Sequence, residues 1–214
     1  MTRPASATKQ PSAGLAVDLG TTTLAVALVD LASGKALKRT SAENPQRAWG
    51  ADVVSRITAA LEDPPSLKEM SIAALKTCAS LLNELTEESG LCVAEIAIAG
   101  NTVMEHLLLN VSPVSLAKPP YKPAFKGAKR LVAKDFGFNA ADGAGLYVFP
   151  VIGGFVGGDA VAVALFLGLN NATGPTITVD IGTNSEIMLS ANGLLYVASA
   201  AAGPAFEGGG IKHG

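Results

Sequence analysis

The sequence has few cysteines, few aromatic residues and little net charge, and two of these shortages exclude a class of site or partner. Cys78 and Cys92 are the only cysteines among 214 residues, and their separation fits neither a CxxC pair nor a zinc ribbon. No metal or iron–sulphur site can be built from the cysteines of this chain alone. The formal net charge of −2 argues against non-specific binding to nucleic acid or to an anionic membrane.

Signals for export, membrane insertion and P-loop nucleotide binding are also missing. Residues 1–13 lack the apolar segment of a signal peptide and are expected to form a disordered lead-in. The apolar stretch 144–169 is long enough to cross a bilayer, but Pro150, two glycine pairs and Asp159 interrupt it, which predicts a strand, a turn and a helix. These features favour a cytoplasmic protein. The absence of a Walker-type loop excludes a P-loop enzyme.

The strands expected in this chain follow from alternating apolar residues. With 49% hydrophobic and 16% charged residues, the chain has enough apolar material for a sizeable core. Strands are predicted at 15–30 as a hairpin around a polar turn, at 36–41, at 93–99 and at 176–189 as a second hairpin. The strand 93–99 runs into a helix at a polar turn, which is typical of an α/β fold.

Helices are expected where apolar residues recur every three or four positions: at 51–61, after Pro65, at 102–109 and at 160–169. Capping side chains are predicted at the starts of the last three, namely Ser66 with Glu69, Thr102 with Glu105, and Asp159. On the first helix, Asp52 and Arg56 are four residues apart, which favours a surface ion pair.

One short pattern occurs twice, 162 residues apart, in matching strand contexts. Residues 17–21 and 179–183 both read apolar, Asp, apolar, Gly, Thr. Glycine lets backbone amides approach phosphate oxygens, threonine and asparagine add neutral donors, and an aspartate at a strand end can hold Mg²⁺ through its waters. The candidate residues are Asp18 and Asp180 for catalysis and magnesium, and Gly20, Thr21, Thr22, Thr23, Gly182, Thr183 and Asn184 for the phosphates of ATP. The alternative is that each pattern simply forms a turn.

The two hairpins resemble the phosphate motifs of the ATPase superfamily that includes actin, sugar kinases and heat-shock chaperones. Residues 158–164 are similar to the small-residue helix that precedes the second motif in that superfamily. The resemblance implies an α/β fold of two ribonuclease-H-like lobes with ATP in the cleft between them. It also implies that Asp180 orients the attacking water if ATP is hydrolysed.

Five other segments carry a narrower resemblance: residues 44–46, 50–57, 100–106, 156–159 and 202–208. In these segments the chain resembles the C-terminal region of the reductive activators of corrinoid proteins, which are iron–sulphur proteins. The resemblance implies ATP and magnesium as ligands, a corrinoid protein as partner, and single-electron reactivation of cobalt(II). It further implies that the 2Fe-2S cluster belongs to a domain absent from this chain, that the second lobe is incomplete here, and that this fragment is inactive alone.

The same resemblance implies a partner-binding segment after the second hairpin. Ser199 stands where the activators usually carry a Cys-Ser pair, and it is predicted to approach the corrinoid from a loop spanning 199–210. Gly203, Phe206 and Glu207 belong to the same expected contact surface. The alternative for Ser199 is a small residue packed beneath a glycine-rich loop.

The chain is predicted to comprise a lead-in (1–13), a first lobe (14–111), a Pro- and Lys-rich connection (112–143) and the start of a second lobe (144–214). The connection carries a basic run that is either solvated or docks an acidic protein surface: Lys118, Lys122, Lys126, Lys129, Arg130 and Lys134. Two other functions stay open at this point, a small-molecule kinase of the same fold and a non-catalytic module gated by nucleotide.

Overall fold

The computed structural model describes residues 13–87, 90–182 and 184–201. They form an α/β arrangement of two sheets and four α-helices, with short 3₁₀ turns between them. The strands are β1 Ala13–Leu19, β2 Thr23–Asp30, β3 Ala36–Glu43, β4 Val93–Gly100, β5 Lys129–Val132, β6 Gly145–Val148, β7 Thr176–Asp180, β8 Asn184–Ala191 and β9 Leu194–Ala201. The helices are α1 Val53–Glu62, α2 Pro64–Thr86, α3 Thr102–Leu108 and α4 Gly158–Phe166.

The larger sheet has six strands in the order β3-β2-β1-β4-β6-β5. The predicted first hairpin is present, since β1 and β2 pair antiparallel with Leu19 opposite Leu24. Strand β1 also pairs in parallel with β4, which places Leu19 beside Gly100. The carboxyl ends of β1 and β4 therefore lie at the same edge, where ligand sites of open α/β sheets are found.

Side-chain alternation along β1 separates the core from the opposite sheet face. Leu15, Val17 and Leu19 are buried against α2 and α3, and they belong to a core that also includes Ile96 and Ile98 of β4. Asp18 lies between two of these buried residues, and a strand turns successive side chains to opposite faces. The apolar pattern thus directs the Asp18 carboxylate away from the core.

The six-stranded sheet contains strands from the predicted first lobe, the predicted connection and the predicted second lobe. Strand β5 lies within the expected connection 112–143, and β6 lies within the expected second lobe, yet both pair into the first sheet. The reason is the parallel pairing of β6 with β4, which packs Leu146 beside Ile96. The lobe boundaries themselves stay a prediction.

The three predicted helix caps were wrong in detail. Helix α2 begins at Pro64, with proline in its first turn, so Ser66 lies inside the helix and donates to the Asp63 carboxylate at 2.6 Å. Helix α3 is capped by Asn101, whose side chain accepts from the Met104 amide at 3.0 Å. Helix α4 has no side-chain cap, because Asp159 accepts only from the adjacent Ala160 amide among the bonds formed by the described residues.

The second sheet is an antiparallel meander, β7-β8-β9, and it contains the predicted second hairpin. Its inner face packs on α4 through a small core of Ala160, Leu169 and Met188. Because α4 follows β6 after a connection of nine residues, it joins the two sheets and borders the space between them.

Candidate functional site

A cleft of about 940 Å³ lies between the first sheet, α4 and the second sheet. Asp18 and Asp180 both line it, although they are far apart in the sequence. Beside them the cleft brings together four other predicted residues: Gly20, Thr21, Gly182 and Asn184. Thr22 and Thr23 are exposed at the first turn and its exit, outside this lining, and Thr183 falls outside the described residues.

The first turn, residues 20–22, is a close-packed backbone loop. A Cβ at position 20 would lie 2.5 Å from the Thr23 carbonyl oxygen, so only glycine fits. Asn44 donates from its side chain to the Gly20 carbonyl at 2.8 Å and from its backbone to the Thr22 carbonyl at 2.8 Å. Asn101 donates to the Thr21 hydroxyl at 3.0 Å, which leaves the hydroxyl proton of Thr21 free to donate into the cleft.

Arg56 holds the same turn from below and does not form the predicted surface ion pair with Asp52. Its side chain is fully buried, and its guanidinium donates to the carbonyls of Thr21 at 2.7 Å and Gly50 at 2.9 Å. Burial lowers the pKa of Arg56 to about 10, which keeps it charged at neutral pH. Asp52 instead caps α1 through the Ser55 amide at 2.8 Å.

Three of the sequence segments that carry the family resemblance meet at this turn. Asn44 and Gln46 are both fully buried, and Gln46 donates to the Met70 carbonyl at 3.2 Å, which fixes the segment to α2. Arg56 comes from the second segment and Asn101 from the third. Their shared role is to support the backbone of residues 20–22, which no charge or apolar pattern in the sequence indicated.

Four carboxylates gather in the cleft: Asp18, Asp159, Asp180 and Glu186. Burial, with the charges of Asp18 and Asp180, raises the pKa of Asp159 to about 6. Burial, with the charges of Asp159 and Asp180, raises the pKa of Glu186 to about 7. Partial desolvation and the charge of Asp180 also raise the pKa of Asp18. The cleft is therefore an acidic site in which the carboxylates repel one another.

Asp159 reaches the cleft because two glycines let the start of α4 approach the first lobe. A Cβ at position 157 would lie 2.5 Å from the backbone of residues 100–102. A Cβ at Gly158 would overlap the carboxyl group of Glu105. The glycine pair thus seats α4 on the turn that holds Asn101, and it places Asp159 beside the first hairpin. Sequence reasoning had assigned Asp159 only a capping role.

Glu105 lies beneath this junction and is fully buried. One carboxyl oxygen accepts from the Gly100 amide at 3.3 Å, and the other has no hydrogen-bond partner among the described residues. Burial raises the pKa of Glu105 to about 9, so the group is protonated at neutral pH. Glu105 was predicted to cap α3, and the structure shows it turned inward between β4 and α4.

Ser199 lies on strand β9 and was wrongly expected in a loop. Its hydroxyl donates to the Glu186 carboxylate at 3.1 Å, so it contacts a residue of the cleft wall. The other predicted partner-binding residues, Gly203, Phe206 and Glu207, lie outside the described residues.

Two negative findings concern the part of the chain that the structure describes. None of its helices is long and apolar enough to cross a membrane, and the stretch 144–169 instead holds β6, its connection and α4. Within residues 13–87, 90–182 and 184–201, no three His, Cys, Asp or Glu side chains are placed to ligate one metal ion. A cation in this cleft would therefore rely on one or two carboxylates together with water or ligand oxygens, as Mg²⁺ commonly does.

Comparison with known proteins identifies relatives over nearly the whole chain. The chain is 35% identical over 214 residues to "Corrinoid activation enzyme RamQ" of Eubacterium limosum, covering 99% of this chain and 36% of that protein. It is 28% identical over 210 residues to "[Co(II) methylated amine-specific corrinoid protein] reductase" of Methanosarcina barkeri, covering 94% and 38%. The chain spans little more than a third of these relatives.

A solved structure supports the same relationship. "Reductive activator for corrinoid,iron-sulfur protein" superposes with a TM-score of 0.90 at 38% identity, covering 98% of this chain and 34% of the other. Residues 13–172 match the family described as "RACo middle region", and residues 174–214 match "C-terminal domain of RACo the ASKHA domain". The match of residues 174–214 to an ASKHA domain, the class of actin-like ATPases, confirms the predicted fold class. The chain belongs to the RACo family, with residues 13–172 matching its middle region and residues 174–214 its ASKHA domain.

Proposed function

We propose that this chain is the nucleotide-binding part of a protein that reductively reactivates cobalt(II) corrinoid proteins in the cytoplasm. The observation that carries the proposal is the acidic cleft in which two matched Asp-x-Gly-Thr hairpins face each other. The relatives named as corrinoid activators support the choice of partner. The electron would come from a 2Fe-2S cluster in a domain that this chain does not include.

ATP fits the first turn on structural grounds. Gly20 leaves no room for a side chain, so backbone amides can approach phosphate closely, and Thr21 has a hydroxyl proton available for donation. Gly182 and Asn184 line the opposite wall, and together with Thr183 they would contact the triphosphate from the second hairpin. A triphosphate held from both sides would resist separation of the two hairpins.

Magnesium fits the acidic cluster because four mutually repelling carboxylates gain from a cation. Asp18 and Asp180 would hold it from the two strand ends, largely through its waters. When bound, Mg²⁺ would neutralise phosphate charge and polarise the terminal phosphoryl group. Asp180 would orient a water for hydrolysis. Asp159, with its pKa near 6, is a further candidate to take a proton from that water.

Nucleotide would act by changing how the two sheets face each other. A nearly complete switch between open and closed states requires differential binding of about 5.5 kcal/mol, which a triphosphate clamped by two hairpins can supply. Ser199 supports a link to the partner, because it bonds Glu186 in the cleft wall. With Gly203, Phe206 and Glu207, it would form the corrinoid contact that responds to closure.

The test compares Asp18→Asn and Asp180→Asn with Asp142→Asn, an exposed control far from the cleft. In the intact protein, both cleft variants should lower Mg-ATP affinity by at least about tenfold and slow ATP-dependent reduction of the cobalt(II) protein. Thermal stability without magnesium should not fall, because each amide removes one repelling charge. Unchanged Mg-ATP affinity by calorimetry in both variants would overturn the assignment.

A further inference from the structure

Two irregular segments, 118–126 and 149–156, lie side by side at the entrance to α4. The Val151 amide donates to the Lys126 carbonyl at 3.0 Å, and the rings of Tyr121 and Phe155 are 4.9 Å apart. Gly154 packs so closely on Tyr121 that a Cβ would overlap the Tyr121 carbonyl oxygen. These contacts join the segments into one surface.

A buried histidine fixes this surface to the core. His106 lies on α3 with no exposed area, and its ring stacks on Phe125 at 4.5 Å. Its Nε2 accepts from the Ala124 amide at 3.0 Å, which assigns the proton to Nδ1, and Nδ1 donates to the Thr102 carbonyl at 2.7 Å. Burial lowers the pKa of His106, so the ring stays neutral. The segment 118–126 is therefore held in a defined conformation although it contains three prolines.

The surface has an apolar centre with a basic rim. Tyr121, Ile152 and Phe155 are 36%, 45% and 55% exposed, and we call these three residues the aromatic patch. Lys118, Lys122 and Lys126 belong to the same segment as Tyr121 and are all exposed, and we call these three residues the lysine rim. None of the three lysines pairs with an acidic side chain among the described residues, whereas Lys134 further along pairs with Asp142.

We propose that the aromatic patch and its lysine rim dock an acidic surface of the partner protein, with an apolar contact at its centre. Interfaces of this kind place aromatic anchors centrally and use surrounding charge to steer association. The identity of the partner as a corrinoid protein rests on the proposed function. The chemistry of the surface is independent of that function.

Other occupants fit this surface less well. A second copy docked symmetrically through the patch would bring lysines against lysines. Residues 1–12 of the same chain carry Arg3 and Lys9 and no acidic residue, so their charge also opposes docking there. An acidic protein surface is the occupant whose charge matches the rim.

Docking at this surface would affect the position of Asp159 in the cleft, because Phe155 and Asp159 lie on one backbone segment. Phe155 is four residues before Asp159, and the intervening glycines seat α4 on residues 100–102. The Thr102 hydroxyl also donates to the Gly153 carbonyl at 2.7 Å, which ties the patch segment to the start of α3. A partner that contacts Phe155 would therefore restrict the backbone segment that positions Asp159.

The experiment measures binding of a cobalt(II) corrinoid protein from the same organism to the immobilised intact protein. The test variant carries Lys118→Gln, Lys122→Gln and Lys126→Gln, and its matched control carries Lys35→Gln, Lys68→Gln and Lys76→Gln, three exposed lysines elsewhere. At low salt the rim variant should bind about tenfold more weakly and the control within about twofold, with the difference shrinking at about 0.3 M salt.

A second variant, Phe155→Ser, tests the apolar centre. It should weaken binding about tenfold at both salt concentrations while Mg-ATP affinity stays within about twofold. Equal weakening by the rim and control variants, or unchanged binding by Phe155→Ser, would overturn the docking surface alone. If the unaltered protein does not bind the corrinoid protein, the proposed function fails, and this choice of partner fails with it.

Discussion

Replacing Arg56 by methionine should destabilise the first lobe and loosen the turn at residues 20–22. Methionine keeps an unbranched apolar side chain in the buried space, but it is shorter than arginine and has no hydrogen to donate. The carbonyls of Thr21 and Gly50 would each lose a bond to a charged donor. A hydrogen bond from a charged donor contributes about 1.5–3 kcal/mol to stability. Removing the donor also leaves a buried carbonyl without a partner, which is unfavourable.

The two losses do not simply add. Burying a guanidinium carries a desolvation cost, seen here as the lowered pKa of Arg56, and methionine removes that cost. The expected net loss in the free energy of unfolding is therefore about 2–4 kcal/mol. Affinity for Mg-ATP should fall as well, because the Thr21 carbonyl no longer holds the turn in place.

Urea unfolding measures the first effect, with the slope of the transition compared between variants to check that the same surface unfolds. Arg47→Met is the matched control, because Arg47 is 59% exposed and pairs with the exposed Glu43, four residues earlier. Its effect should stay within about 0.5 kcal/mol. If Arg56→Met changed stability no more than this control, the buried guanidinium would not support the turn and our reading of the site would be wrong.

Three further outcomes follow from the cleft and its supports. The pKa of Asp159 is raised from its ordinary value of 3.8 to about 6, so between these values the folded chain binds more protons than the unfolded chain. The free energy of unfolding should therefore fall as pH rises from about 4 to about 7. Asp159→Asn should flatten this dependence in thermal unfolding without magnesium. Gly158→Ala should cost about 1–3 kcal/mol in chemical unfolding through overlap with Glu105, whereas Gly153→Ala, with open space around it, should cost under about 1 kcal/mol. Glu105→Gln, which resembles the protonated acid, should remove the loss of stability expected as pH rises from about 4.5 to about 9, so at pH 7 the variant should be at least as stable as the unaltered protein, as followed by circular dichroism.

Local patterns predicted most of the regular elements, because these depend on neighbours in the sequence, but they missed strands β5 and β9. Both hairpins are present, and the helix after Pro65 buries Met70, Ala74 and Cys78 as its apolar spacing indicated. The caps were wrong because several polar residues near each helix start could serve. At α3, Asn101 was available one residue before Thr102, and only the path of the chain decides between them.

Arg56 shows where charge patterns fail. In the sequence Arg56 is four residues from Asp52, which is the spacing of a surface ion pair. No neighbouring residue indicates that its guanidinium is buried in the core. Its actual partners are backbone carbonyls at residues 21 and 50, and backbone oxygens leave no signature in the sequence. The sequence also did not indicate that Asp159 belongs to the cleft, because its neighbours there come from β1, β7 and β8.

Short segments of the chain were enough to predict the two Asp-x-Gly-Thr hairpins, the α/β class and the family resemblance. The gathering of four carboxylates in one cleft, and of residues 44, 56 and 101 around one turn, could be seen only in the fold. The same holds for the contact of Tyr121 with Phe155. Electrostatic repulsion and hydrogen bonds depend on distance in space, and those distances are set by the parallel pairing of β1 with β4 and by the packing of α4 on residues 100–102.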